Sequence, residues 1–167
     1  MDEILLKKKA LKIKLLLTDS DGVLTDNGVY YGESGEQLKR FSIRDGMGVE
    51  RLKKLCGVET GIITGETSPS VRKRAEKLTI TELHLGIKDK ASLLKEILER
   101  KNISATEVAY MGDDVNDLEI IQKIGFSACP GDAMPQVLKA VDYVCKNKGG
   151  DGAFREFAEL IITYKTK

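Results

Sequence analysis

Two carboxylates, Asp19 and Asp21, close an apolar run in LLLTDSDGVLTDNG (residues 15–28), and two more, Asp113 and Asp114, follow a second apolar run in VAYMGDD. Between them come a hydroxyl, Thr64, in the tripeptide TGE with Gly65 and Glu66, and a lysine, Lys90, in DK; Asn116 and Asp117 extend the last motif. Singly, each is an ordinary turn or cap residue. Gathered together, they concentrate negative charge, and each carboxylate raises its neighbour's pKa unless a cation sits between them. A hard divalent ion resolves this, and few protein oxygens plus waters and a phosphate oxygen is the usual setting of magnesium. Such a set supports phosphoryl transfer. One carboxylate can attack phosphorus, and a second can protonate the leaving alcohol and then activate water. A lysine, a hydroxyl and the metal can hold charge on the phosphoryl oxygens.

The elements that would gather these residues are short apolar runs alternating with helical patterns. Strands are expected at 13–17, 58–64, 82–85, 108–111, 126–128 and 143–144, from their length and apolar content. Residues 28–41 read as a hairpin turning at Gly32 and Gly35. Helix spacing appears at Val49, Leu52 and Leu55. It recurs after Ser68-Pro69, where Ser is the N-cap and Pro opens the first turn. Further helices are expected after Asp89, from Leu118 to Ile124, around Val137, and over Phe154, Phe157 and Ile161. This alternation predicts an α/β fold, a doubly wound and mostly parallel sheet with a small β-hairpin insertion and no large cap domain. Ligands in such sheets bind beyond the carboxyl ends of the strands, where the charged motifs fall. Two residues apart at the end of an extended run, Asp19 and Asp21 are expected on the same side.

The bulk composition narrows the partners. Lys+Arg (27) and Asp+Glu (26) nearly balance at a net charge of +1, which argues against a nucleic-acid or membrane surface driven by overall charge. Three scattered cysteines and a lone His84 build neither a disulfide framework nor a zinc site. No stretch approaches the ~20 apolar residues of a membrane span. A single domain over 1–167, soluble and cytoplasmic, is expected.

The four ordered motifs DSDGVLT, ITG, DK and GDDVND resemble those of the haloacid dehalogenase superfamily of phosphatases. That resemblance implies roles. Asp19 is the nucleophile and Asp21 the general acid/base. Thr64, Gly65 and Lys90 bind phosphate. Asp19, the backbone carbonyl of Asp21 and Asp113 ligate magnesium, with Asp114 and Asp117 supporting the metal site. Ser20 departs from the pattern, which usually has an aliphatic residue there. The small hairpin, DGMGV, VAYMGDDVND and GGDGAFREF further resemble the capless phosphatases of 3-deoxy-D-manno-octulosonate (KDO) 8-phosphate and their sialic-acid-like relatives. This group implies a phosphorylated sugar-acid substrate and a homotetramer whose active sites lie at subunit interfaces.

The substrate carries a carboxylate, so a cationic partner is expected. Arg74 and Lys77 flank the apolar stripe of the helix after Ser68. The resemblance further implies that the C-terminal segment can approach a substrate site, which makes Arg155 a candidate for substrate or interface. TGE resembles relatives acting on 2-keto-3-deoxynononate (KDN) 9-phosphate, whereas the KDO group more often has TGR. Glu66 and Lys77 would then form a dyad reading a sugar hydroxyl. Two other classes compete. One is a non-catalytic assembly module like the domain fused to CMP-sialate synthetases, which has lost catalytic acids still present here. The other is a phosphoacceptor receiver domain, whose motif order differs.

Overall fold

The computed structural model describes residues 2–167. Six parallel strands form one sheet in the order β5-β4-β1-β6-β7-β8. They are β1 (Leu15–Thr18), β4 (Glu59–Ile63), β5 (Glu82–His84), β6 (Val108–Met111), β7 (Phe126–Cys129) and β8 (Tyr143–Val144). β2 (Thr25–Gly32) and β3 (Gly35–Phe41) pair with each other alone, as an antiparallel hairpin. The chain therefore runs outward from β1 in one direction through β4 and β5, then returns to its other side through β6, β7 and β8. The crevice beyond the carboxyl end of β1, between β4 and β6, is the switch point where such sheets bind ligands.

Alternation along β1 explains why the sheet is covered on both faces. Leu16 belongs to one apolar core, and Leu15 and Leu17 to the other, as successive side chains of a strand must point to opposite faces. The first core is closed by α1 (Glu3–Lys12), α2 (Ile43–Cys56), α3 (Pro69–Lys77) and α7 (Ala153–Thr166). These contribute Ala10, Leu52, Val71 and Phe157. The second is closed by α4 (Lys90–Lys101), α5 (Leu118–Ile121) and α6 (Pro135–Ala140), through Leu94, Ile120 and Val137. β1 is buried along its whole length, so its polar termination at Asp19 is a real change of environment.

Three local expectations are corrected. Ile13 does not begin the first strand. It is the C-cap of α1, a lysine-rich helix that begins at an Asp2 cap and buries only Ala10. Its apolar residues Ile4, Leu5, Leu6, Ala10 and Leu11 are spread around the helix, and Ile4, Leu5 and Leu11 are exposed, so the sequence carries no stripe to detect. The helix expected to run to Ile124 stops at Ile121, after a single turn. Asp19 and Asp21 do not ride on an extended strand. β1 ends at Thr18, and the chain turns so that the Ser20 carbonyl accepts hydrogen bonds from the amides of Val23, Leu24 and Thr25. Ser68 caps α3 ahead of Pro69, and Asp89 caps α4, both as the residue types require.

Candidate active site

Three strand ends build a cavity of about 330 Å³ at the switch point. The loop after β1 contributes Asp19 and Asp21, the loop after β4 contributes Thr64, Gly65 and Glu66, and the loop after β6 contributes Asp113 and Asp114. The register explains the convergence. Thr18 pairs with Ile62 of β4 and with Met111 of β6, so the three chains leave the sheet side by side. The Asp19 amide extends the ladder by one bond, 2.9 Å to the Met111 carbonyl.

Lys90 opens α4 beneath this cavity and is almost wholly buried. Its Nζ lies 2.5 Å from Asp19 Oδ2, 2.6 Å from Asp117 Oδ1 and 3.1 Å from the Tyr110 hydroxyl. Burial disfavours its charge, but the Asp19 and Asp117 carboxylates more than compensate and raise its pKa. Tyr110 also donates to Asp117 Oδ1 at 2.6 Å, while the amides of Asp113 and Asp114 donate to Oδ2 at 3.0 and 3.4 Å. Both Asp117 oxygens are thus engaged inside the protein, and Asp117 braces the GDD loop against Lys90.

Asp19 and Asp113 carry the cost of the cluster. Burial, then the charge of Asp117, raises the Asp19 pKa against the pull of Lys90. Burial raises that of Asp113 to about 7, with the charges of Asp19 and Asp117 adding and a hydrogen bond from Asn27 opposing. One ammonium does not balance three carboxylates. Ligand oxygens of Asp19, Asp113 and Asp117 lie within 4.8 Å of one another. All-oxygen donors, excess negative charge and an adjoining cavity fit a hard divalent cation.

Asp21 sits half-buried on the cavity wall. Its Oδ2 is 2.6 Å from Lys39 of β3, and Thr25 donates to its Oδ1 at 3.3 Å. The Lys39 side chain is 1% exposed and also approaches Glu36 at 3.4 Å. Burial works against its charge, yet Asp21 and Glu36 raise its pKa overall. Glu36 in turn accepts a hydrogen bond from Ser68, the cap of α3. The hairpin is therefore bolted to the loops after both β1 and β4.

Four residues expected near the substrate are distributed unequally. Glu66 is exposed and lines the cavity. Arg74 does not line it. Its guanidinium donates to the Ser42 carbonyl at 2.8 Å and lies 5.8 Å from the Phe41 ring centroid, tying α3 to the start of α2. Lys77 is exposed in the last turn of α3, whereas Glu66 precedes its first turn. That separation is about 12 Å along the axis, so the Glu66–Lys77 dyad is not formed in the chain. Arg155 does not line the cavity either. Its amide donates to Asp45 and its Nε to Glu159, both inside the α2–α7 packing.

The sequence reading missed other cavity residues. Asn27 and Val115 line the cavity, and Asn116, noted only as part of its motif, does too. Lys39 and Tyr110 reach the site's carboxylates from a hairpin and a strand interior. The DNG tripeptide signals only a turn, and a lysine in an exposed-looking hairpin signals only solvent.

Comparison with known proteins agrees with this fold. A model of the haloacid dehalogenase-like hydrolase family matches residues 76–157. The 3-deoxy-D-manno-octulosonate 8-phosphate phosphatase KdsC of Escherichia coli K12 is 40% identical over 159 residues, which is 95% of this chain and 84% of that protein. The structure of the Moraxella catarrhalis 3-deoxy-D-manno-octulosonate 8-phosphate phosphatase, in complex with magnesium, phosphate and KDO, matches with a TM-score of 0.94 at 34% identity. That match covers 99% of this chain and 94% of the other. The cobalt-bound deoxy-D-mannose-octulosonate 8-phosphate phosphatase YrbI of Haemophilus influenzae matches with a TM-score of 0.91 at 36% identity, covering 95% of this chain and 92% of the other. The chain belongs to the haloacid dehalogenase-like hydrolases and is a phosphatase.

Proposed function

We propose that this protein hydrolyses the terminal phosphate of a 3-deoxy-ulosonate phosphate, KDO 8-phosphate first among them, through an aspartyl-phosphate on Asp19. The observation that carries the reading is the convergence of Asp19, Asp21, Thr64 and Asp113 on one cavity with Lys90 bonded to Asp19. The relatives above are named for KDO 8-phosphate, and one was solved with KDO bound.

The steps follow from the side chains. An Asp19 carboxylate oxygen attacks phosphorus, and the bond from phosphorus to the sugar oxygen breaks. Asp21, as the carboxylic acid, gives its proton to the departing sugar alkoxide. Lys90 and Thr64 hold the phosphoryl oxygens while charge moves among them. Water then attacks phosphorus and gives a proton to Asp21, and the bond from phosphorus to the Asp19 oxygen breaks, releasing inorganic phosphate and the free Asp19 carboxylate. Asp19, the Asp21 carbonyl and Asp113, with Asp114 and Asp117 supporting them, would hold magnesium, which would supply charge neutralisation at the phosphoryl group.

One observation favours a second substrate. Glu66 lines the cavity where an arginine is more usual, and a carboxylate there suits a sugar hydroxyl better than a sugar carboxylate. This favours KDN 9-phosphate or another sialic-acid-like 9-phosphate. The deciding experiment compares kcat/KM for KDO 8-phosphate and KDN 9-phosphate with magnesium. A tenfold preference, about 1.4 kcal/mol of transition-state binding, assigns the substrate, and no turnover of either overturns the reading.

The same reading includes a single-domain protomer in a homotetramer with shared active sites. Its support is the set of exposed apolar side chains on the hairpin, Tyr30, Tyr31 and Leu38, with Ile43 at the start of α2. Light scattering should return four times the 18.4 kDa chain mass. A reducing, cytoplasmic setting accords with free Cys56, Cys129 and Cys145. Among the described residues no helix is long and apolar enough to cross a membrane.

A further inference from the structure

Asn27 stands in the left-handed region at φ 62°, where side-chain-bearing residues are uncommon. It lines the cavity, and its Nδ2 donates to Asp113 Oδ2 at 3.3 Å. The space in which amide and carboxylate meet exists because residue 22 is a glycine. A Cβ at Gly22 would overlap Asp113 Oδ2 and come within 2.7 Å of Asn27 Nδ2. Three features therefore converge on one contact: an unusual backbone conformation, a glycine that leaves room, and a neutral donor aimed at a carboxylate. Unfavourable backbone angles persist where the surroundings hold them, and they cluster at functional sites.

The chemistry of the donor is informative. A lysine or arginine there would compete with a cation for Asp113. An amide donates a hydrogen bond without adding charge, so it can fix the carboxylate and leave its affinity for a cation intact. Carboxylates that ligate metals are commonly held by such outer hydrogen bonds, and losing one costs roughly 10–100-fold in metal affinity.

We infer that Asn27 is a positioning residue for the metal site, its side-chain amide orienting Asp113 to receive magnesium. This rests on the metal-dependent reading above. The Asn27 side chain donates to Asp113 and not to Asp19, so it acts through Asp113.

The test is magnesium binding by isothermal calorimetry, with thermal melts alongside, on the parent, Asn27→Gly and Asn27→Ala. Glycine removes the amide and suits a positive φ, whereas alanine removes the amide and keeps the strain. Both variants should bind magnesium about 10–100-fold more weakly, although only the alanine variant should melt lower than the parent. Parent-like affinity in Asn27→Gly overturns the inference. A loss confined to Asn27→Ala traces to backbone strain and overturns it equally. A parent that binds no magnesium overturns the metal reading itself, and the inference with it.

Discussion

Asp19 receives the Ser20 amide on one oxygen at 2.6 Å and the Lys90 ammonium on the other at 2.5 Å. Asp19→Asn preserves the shape and removes the proposed nucleophile. Turnover should fall at least about 10³-fold, as when other enzymes lose their attacking group, while the circular dichroism spectrum and cooperative melt persist. Phosphate release at the parental rate would reject the nucleophile assignment. Its neighbour Ser20 gives a different prediction. The Ser20 hydroxyl is fully buried and has no hydrogen-bond partner. An unsatisfied buried hydroxyl is costly, so Ser20→Ala should stabilise the protein by about 1 kcal/mol and raise Tm by about 3 °C. A lower Tm in a scanning melt would show that the hydroxyl has a partner. The residues legible in the sequence were those at strand ends, because a short apolar run announces where it stops and β1, β4 and β6 stop together. Asn27, Lys39 and Tyr110 were not legible, because their contacts depend on how a turn, a hairpin and a strand face fold back on the motifs. Arg74, Lys77 and Arg155 mislead in the opposite way. The substrate's carboxylate suggested Arg74 and Lys77, and the family resemblance suggested Arg155, but none of them lines the chain's own cavity.

At the scale of elements, the loop between β8 and α7 supports the turn after β1 that holds Asp21 and Gly22. The Gly150 amide donates to the Val23 carbonyl at 2.9 Å, and the Gly149 amide to Asp132 Oδ1 at 3.0 Å. A Cβ on Gly149 would overlap the Gly22 carbonyl oxygen and lie 2.6 Å from its carbon. Gly149→Ala must therefore push the turn holding Asp21 and Gly22 toward the cavity, or else displace its own loop. The cost should be about 2 kcal/mol. Because small misplacements of reacting groups can cost up to about 10²-fold, kcat/KM should fall at least tenfold at a temperature where the variant remains folded. An unchanged kcat/KM with reduced stability would show that the loop yields and the turn does not. The sequence showed a glycine-rich loop here. It did not show that this loop and the turn after β1 meet without room for a side chain, a fact created by the chain crossing back from β8, at the sheet edge, to Gly22 and Val23 before α7 begins.

Across the whole molecule, the cluster makes stability depend on pH in an unusual direction. Most carboxylates that matter to folding are held below their ordinary pKa and stabilise the protein as pH rises; Glu82, at about 2 beside Arg100, His84 and Lys101, is one. Its contribution is complete above about pH 5. Asp113 behaves oppositely, because burial and its neighbours raise its pKa to about 7. Between the ordinary carboxylate range and pH 7, the folded metal-free chain holds a proton that the unfolded chain has released. Stability therefore falls as pH rises through this window. Asp19, its pKa raised by burial beside it, titrates together with Asp113, so the net fall from pH 5 to 7.5 is on the order of 2 kcal/mol, or roughly 5 °C in Tm. Magnesium should cancel it. A cation between the ionised carboxylates removes the penalty, and the stabilisation it confers should grow as pH rises because it no longer displaces a proton. Thermal melts at pH 5, 6, 7 and 7.5, in chelator and in saturating magnesium, test both halves. Chelator and magnesium curves that diverge with rising pH are the expected result. Parallel curves would mean that the ion does not bind at these carboxylates, and the acidic cluster would then be balanced by Lys90 alone.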